Sequence, residues 1–292
     1  MKFNRYALSD LATIKYGKNQ KKVLSESGNI PIYGTGGLMG YATTALYDKP
    51  SVLIGRKGTI GKVKYVEHPF WTVDTLFYTI VNTDIVLPKY LYYVMSLIDL
   101  NNYNEGTTIP SLRTETLNRL EFDIPSLEEQ ETILSCLNPI DEKIALNNAI
   151  NNNLEQQAQA IFKSWFIDFE PFSNRKPNDW SISTLGNVSI MGAGGDKPQN
   201  VSQIKTDLYE YPIYSNGLSD EGLYGFTDNP KISEESVTVS ARGTIGFVCL
   251  RHTPYVPIVR LVTLIPKTEI ISAKYLYLWL KQLQSSQTGW QT

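Results

Sequence analysis

The chain has 292 residues, a formal net charge of −2 and 42% apolar residues. That length buries two cores of ordinary size, and that charge excludes a protein held on nucleic acid by bulk positive charge alone. With no apolar leader, no run of about 18 uncharged apolar residues and only the distant Cys136 and Cys249, a cytoplasmic protein is expected, without a membrane route, disulfide or metal site, its cysteines serving as small core residues.

The opening stretch, Tyr6-Ala7-Leu8-Ser9-Asp10-Leu11, leads into a polar loop over 16–22. Apolar runs follow at Ile30-Pro31-Ile32-Tyr33 and Ser51-Val52-Leu53-Ile54, each bounded by glycine, and short strands of this kind predict a mainly β core. Beyond Pro88, the spacing of Tyr90, Leu91, Val94 and Met95 predicts a helix with proline at its first position. Residues 125–172 then read as one long helix. Ile133, Leu137, Ile140, Ile144, Leu154, Ala158, Ile161 and Trp165 alternate by four and three, the a/d seam of a coiled coil, with Asn147 and Asn151 inside it. Such a stripe wants a partner helix, because its apolar side chains otherwise face water. Pro139 predicts a bend or a helix start, with 128–137 forming a separate turn or two.

After the helix the chain repeats itself. Pro212-Ile213-Tyr214 returns Pro31-Ile32-Tyr33 at an offset of 181; Gly243-Thr244-Ile245-Gly246 returns Gly58-Thr59-Ile60-Gly61 at 185, as Lys274-Tyr275-Leu276-Tyr277 returns Lys89-Tyr90-Leu91-Tyr92. About four residues are therefore inserted in the second copy between the first motif and the later ones. Net charge is +3 over 1–124, −4 over 125–176 and −1 over 177–292, so the copies are less acidic than the helix between them. Measured by the first copy, the second stops where the Tyr103-Asn104-Glu105 loop would begin, which predicts a shortened second domain without a seam helix of its own.

The glycine turn 55–61 invites a phosphate-loop reading, but it lacks the Gly-Lys-Ser/Thr ending, and its second copy loses the lysine. A tight strand-to-strand turn using positive φ fits better. One arginine beside glycine survives in both copies, making Arg56 and Arg242 candidates for phosphate or base contact. His68 and His252 stand in loops without a carboxylate or cysteine cluster, and no serine sits in a nucleophile elbow, so neither a catalytic nor a metal-binding residue is predicted. Amide and cationic loop residues suit base edges and phosphates. Lys18, Asn19, Gln20, Lys21 and Lys22 form one such group, with Thr35, Lys57 and Arg113 beside it in the first copy and Lys197, Asn200 and Asn216 in the second. Similar frames carrying different loops suit two different half-sites.

The stretch Ile124-Pro125-Ser126-Leu127-Glu128-Glu129-Gln130, then Asp141-Glu142-Lys143-Ile144, then 154–169 resembles the central conserved region of type I restriction-modification specificity (S) subunits, and the repeated motifs resemble their target recognition domains. The resemblance implies an α+β fold with two similar recognition domains, each a small mainly β core plus helices, at 1–124 and 173–292, separated by a coiled-coil-type spacer helix at 125–172. It further implies a non-catalytic subunit that binds double-stranded DNA, docks two methyltransferase subunits, and through that core engages restriction subunits. S-adenosylmethionine, ATP and magnesium would then sit on partners, with no cofactor on this chain. A shortened chain leaves open self-association through the helix, or a decoy that binds methyltransferase without specifying modification.

Overall fold

The computed structural model describes residues 2–243 and 245–285. The chain divides into two compact units, Met1–Leu146 and Asn147–Thr292.

The first unit opens with strand β1 (Asn4–Ala7), a single helical turn α1 (Leu8–Leu11) and β2 (Ala12–Tyr16). The hairpin β3 (Ile30–Gly34) and β4 (Gly37–Ala42) precedes β5 (Ser51–Gly55), β6 (Val63–Val66), β7 (Trp71–Thr72) and β8 (Leu76–Val81). Then come α2 (Pro88–Ser96), α3 (Thr114–Asn118), β9 (Glu121–Ile124) and the long α4 (Leu127–Phe166). One sheet has the antiparallel order β2-β8-β5-β6, a second the order β4-β3-β7 with β3 and β7 parallel, and β1 pairs with β9. All of β5 is buried because both faces of its sheet are covered. Val52, Ile54 and Phe77 meet Leu91 and Met95 of α2 on one face, while Leu53, Tyr78 and Phe70 form a second core on the other. A strand covered on both sides reads as an unbroken apolar run, as Val52 to Ile54 does. Pro88 opens α2 after an extended Leu87, where its missing N–H costs nothing.

Helix α4 is started and anchored by three neighbouring residues. The Ser126 N–H donates to Glu129 Oε2 at 3.2 Å and Ser126 Oγ accepts from the Glu129 N–H at 3.4 Å, a reciprocal cap for two end donors. Gln130, with 0% exposure, accepts from the Leu87 N–H at 2.8 Å and donates to the carbonyls of Ile85 and Pro125 at 2.9 and 3.0 Å. Leu134, one turn on, is in the first core. The helix therefore enters Pro139 already formed and continues through it, in place of the start or separate turns expected there. Elongating an existing helix costs far less than nucleating one, and the proline removes a single i→i−4 bond. Cys249 is buried as expected, whereas Cys136 is exposed on α4, on the side away from the residues that hold the helix to unit 1.

The second unit repeats β2 to β8 of this frame strand for strand. A turn α5 (Leu185–Val188) leads to β10 (Ser189–Ala193), β11 (Tyr211–Tyr214), β12 (Leu223–Thr227), β13 (Ser236–Val239), β14 (Val248–Arg251), β15 (Val256–Pro257), β16 (Val262–Pro266) and α6 (Ala273–Ser285). The sheets are β10-β16-β13-β14 and β12-β11-β15, with β11 and β15 parallel, and the register shift after Ile213 repeats the one after Ile32. Val237, Val239 and Leu264 pack on Leu276 and Leu280 of α6. In the first unit β9 and the start of α4 help to close this core. In the second, Leu185, Val188, Ile271, Leu276, Trp279 and Leu280 line an open apolar cavity of about 640 Å³.

Each unit grips its own part of α4 through a carboxylate. In the first, the Tyr93 hydroxyl donates to Asp141 Oδ2 at 2.5 Å and Lys89 Nζ lies 2.9 Å from the same oxygen. In the second, Glu155 Oε1 takes the Tyr277 hydroxyl at 3.0 Å and Lys281 Nζ at 3.2 Å. Lysine and tyrosine stand four apart on α2 and on α6, in opposite orders, so each pair faces one helix side. The Tyr93 and Lys89 bonds hold the Asp141 carboxyl below its usual range; burial pushes Glu155 up, but the bonds from Lys281 and Tyr277 outweigh it and hold it low. A depressed folded-state value gives stability that is present above the unfolded carboxylate range, near pH 4, and lost as pH falls through the folded value. Thermal melts between pH 7 and pH 3 are therefore expected to show a falling midpoint whose slope is smaller in Asp141→Asn. Because Asp141 is partly exposed, the substitution should cost only about 1 kcal/mol at pH 7; an unchanged pH slope would show that the carboxylate is not ionised against these partners.

Candidate nucleic-acid interface

In the first unit four loops meet along one edge of the sheets. The Lys18 N–H donates to the Thr72 carbonyl at 2.8 Å, and the Trp71 indole N–H donates to the Lys18 carbonyl at 2.8 Å. The glycine turn after β5 is tied to the turn before β8, since the Arg56 and Lys57 N–H groups both reach the Thr75 carbonyl, at 2.9 and 3.2 Å. The Gly58 N–H donates to the Pro110 carbonyl at 2.9 Å, which brings in the loop leading to Arg113. Thr35 borders the same turn, its hydroxyl 3.9 Å from where a Cβ on Gly58 would lie.

These bonds decide between the two readings of the turn. The Arg56, Lys57 and Gly58 amides already donate to protein carbonyls, so these three are not left to cradle an anion. Gly55 is required because a Cβ there would fall 2.1 Å from the Thr59 carbonyl oxygen, and Gly58 has φ 86°. The turn is a strand connection that presents side chains.

The predicted residues divide accordingly. Lys18, Lys21, Lys22 and Lys57 are exposed on this edge. Gln20 is half-buried, and Asn19 caps the Lys21 N–H at 2.9 Å within its own turn. Arg56 is pinned: its Nη1 donates to the Asp74 carbonyl at 2.8 Å and its guanidinium lies 5.0 Å from the Tyr16 ring centre. Arg113 is paired with Glu105 at 3.1 Å. Trp71, Tyr16 and Asp74, which hold the edge in shape, carry no motif that marks them in the sequence.

The second unit builds the corresponding edge with other side chains. Gly194 and Gly195 are held to the turn before β16, where Val259 and Arg260 both adopt positive φ, 54° and 64°. Asn216 acts as a bracket. Its Oδ1 accepts from the Ala241 and Arg242 N–H groups at 2.8 and 3.4 Å, and its Nδ2 donates to the Val259 carbonyl at 2.7 Å. Asn216 thus shapes the edge, while Arg242 and Arg260 are exposed upon it. Lys197 is exposed near the Tyr224 ring, and Asn200 donates to Asp228 at 2.7 Å. The edge offers guanidinium and ammonium donors to phosphates and base edges. Among the described residues no group of three or more His, Cys, Asp or Glu side chains could hold a metal ion, and no helix is long and apolar enough to cross a membrane.

A second exposed surface lies along α4. Ile140, Ile144, Leu154, Ile161 and Trp165 of the predicted seam are exposed, Leu137 and Ala158 are half-buried, and Ile133 packs against the first core. Leu146 and Ile150 are also exposed. The strict alternation passes over them, placing Asn147 and Asn151 one position further on.

Comparison with known proteins agrees with this duplicated architecture. The description "Type I restriction modification DNA specificity domain" matches residues 2–156 and again 177–291. A Mycoplasma pneumoniae protein named as a type I specificity subunit is 26% identical over 297 residues, spanning 99% of this chain and 80% of its own length. The HindI type I restriction enzyme specificity subunit of Haemophilus influenzae is 37% identical over 164 residues, 51% of this chain and 36% of that protein. The crystal structure of a type I restriction-modification S subunit from M. genitalium shares the fold, with a TM-score of 0.52 at 19% identity over 98% of this chain and 78% of that one. Two matched domains, each on one copy of the repeated frame, together with the long helix, show that this chain belongs to the family of type I restriction-modification specificity subunits.

Proposed function

We propose that each unit reads one half of a bipartite double-stranded DNA target through its loop edge, while α4 sets the gap between the halves and carries docked methyltransferase subunits, two per chain. The observation that supports this most is the pairing of one frame with two different edges. The first presents Lys18, Lys21, Lys22 and Lys57, the second Lys197, Arg242 and Arg260. A common scaffold with exchanged donors is what two distinct half-sites require. The chain itself then performs no chemistry. Adenine methylation with S-adenosylmethionine, and ATP- and magnesium-dependent cleavage by restriction subunits joined to the same assembly, belong to partners, whose own cations would supplement the modest charge here.

Selection from a randomised duplex pool, by the chain with and without a type I methyltransferase subunit, tests this reading. Two enriched blocks separated by a fixed gap are expected; enrichment of no sequence under either condition would refute it. The exposed α4 seam favours a second reading, in which the chain pairs with a copy of itself or holds methyltransferase as a decoy. A palindromic enriched sequence would support self-pairing, and co-purification with methyltransferase without sequence enrichment would support the decoy.

A further inference from the structure

The two units differ in length where β3 and β11 turn back into their partner strands. The first unit makes this turn with residues 35–36; the second uses 215–222, and the change in repeat offset places four extra residues at 218–221. Asp220 and Glu221 both adopt left-handed backbone, φ 49° and 55°, and Gly222 follows at 83°. Left-handed conformations at two successive side-chain-bearing residues are costly and persist only where something holds them.

Arg251 holds them. It is 4% exposed, at the end of β14. Its Nη1 bonds Glu221 Oε2 at 3.0 Å, its Nη2 the Glu221 carbonyl at 2.7 Å and its Nε the Thr238 hydroxyl at 3.0 Å, while its guanidinium stacks 3.6 Å from the Tyr214 ring centre. The equivalent of Arg251 in the first unit is Val66, in the apolar core with Leu53, Phe70 and Tyr78. At an offset of 185 those three become Thr238, Tyr255 and Thr263, all buried. An apolar sheet face has thus become a polar one around one arginine, in the unit that carries the extra residues. Burying a guanidinium is costly unless its donors are satisfied, so this change of face needs a return.

We infer that Arg251 is a positioning residue that fixes 218–221 as a base-reading loop of the second unit, presenting the exposed Asp220 carboxylate to the amino group of a cytosine or adenine. The loop joins the DNA edge directly, because Asn216, two residues before it, brackets the turn carrying Arg242. A carboxylate accepts only, so it selects bases that offer a donor in the major groove. The inference rests on the half-site reading proposed above.

The test is selection from a randomised duplex pool, by the full chain with a type I methyltransferase subunit, using wild type, Arg251→Met, Asp220→Asn and a frame variant that lacks 218–221 and carries Arg251→Val. The frame variant copies the arrangement that the first unit already folds with, so it decides the matter should Arg251→Met fail to fold. Expected is an about 10-fold or greater loss of base discrimination within one half of the enriched sequence, with the other half and the gap unchanged. A residue that merely stabilised the unit would lower the yield of bound duplex without moving base preference in one half. Wild-type preference retained at both halves by the folded frame variant would overturn the inference alone; a wild-type chain that enriches no sequence would overturn it together with the half-site reading.

Discussion

Glutamate at both Ile144 and Leu154 is expected to leave the folded chain intact and to abolish whatever assembly α4 supports. Those side chains are 55% and 57% exposed, so neither substitution opens a core, and surface changes of this kind stay within about 0.5 kcal/mol of wild-type stability. In a paired seam each would bury about 2 kcal/mol of apolar contact, and a charge in its place adds a desolvation penalty. Together they should weaken association on the order of 1000-fold. Sedimentation of the chain alone and with methyltransferase subunit reads this directly. Leu134→Glu is the contrasting control, because at 8% exposure Leu134 is core and its replacement should unfold the first unit. A double variant that still assembles at wild-type strength would remove the seam as the docking face.

Replacement of Gln130 by alanine is expected to be the most damaging single polar change in the first unit. Its side chain satisfies the Leu87 N–H and the Ile85 and Pro125 carbonyls where no solvent reaches. Removing it strands three backbone groups, each worth about 1–3 kcal/mol when buried and unpaired. A loss of about 3 kcal/mol or more should follow, seen as a lower urea midpoint and a fall in melting temperature of roughly 10 °C. Gln130→Glu should not rescue it, since a carboxylate keeps the acceptor for Leu87 but loses both donors. A loss below about 1 kcal/mol would show that water replaces the side chain.

The duplication, the strand-rich domains and the long helix were all legible in the residues, because they rest on period and repetition. Pro-Ile-Tyr and the Lys-Tyr-Leu-Tyr helix recur at nearly constant offset, and each returns as the same strand or helix. Residues 124–130 could be recognised as a motif without their reason being visible. Gln130 matters through partners 43 and 45 residues earlier, which only folding brings beside it. Pro139 shows the same limit from the other side: local propensity expects a break, and the cap and clamp upstream override it.

The loop edges were legible only as composition. Lysine and asparagine in polar turns marked 18–22 and Asn216 alike, but composition does not separate a side chain offered to solvent from one spent on the protein's own backbone. The fold spends Asn216, Asn19 and Arg56 on holding turns, and leaves Lys21, Lys22 and Arg242 outward. Arg251 was invisible in the sequence, standing at the end of an ordinary strand. By itself, then, the sequence determined the repeated frame and the stripe on α4, since both follow from periodic apolar spacing along the chain. The tertiary structure alone decided which polar residues face outward and what holds the four inserted residues, because those depend on hydrogen-bond partners that are distant in sequence and close only once the sheets have formed.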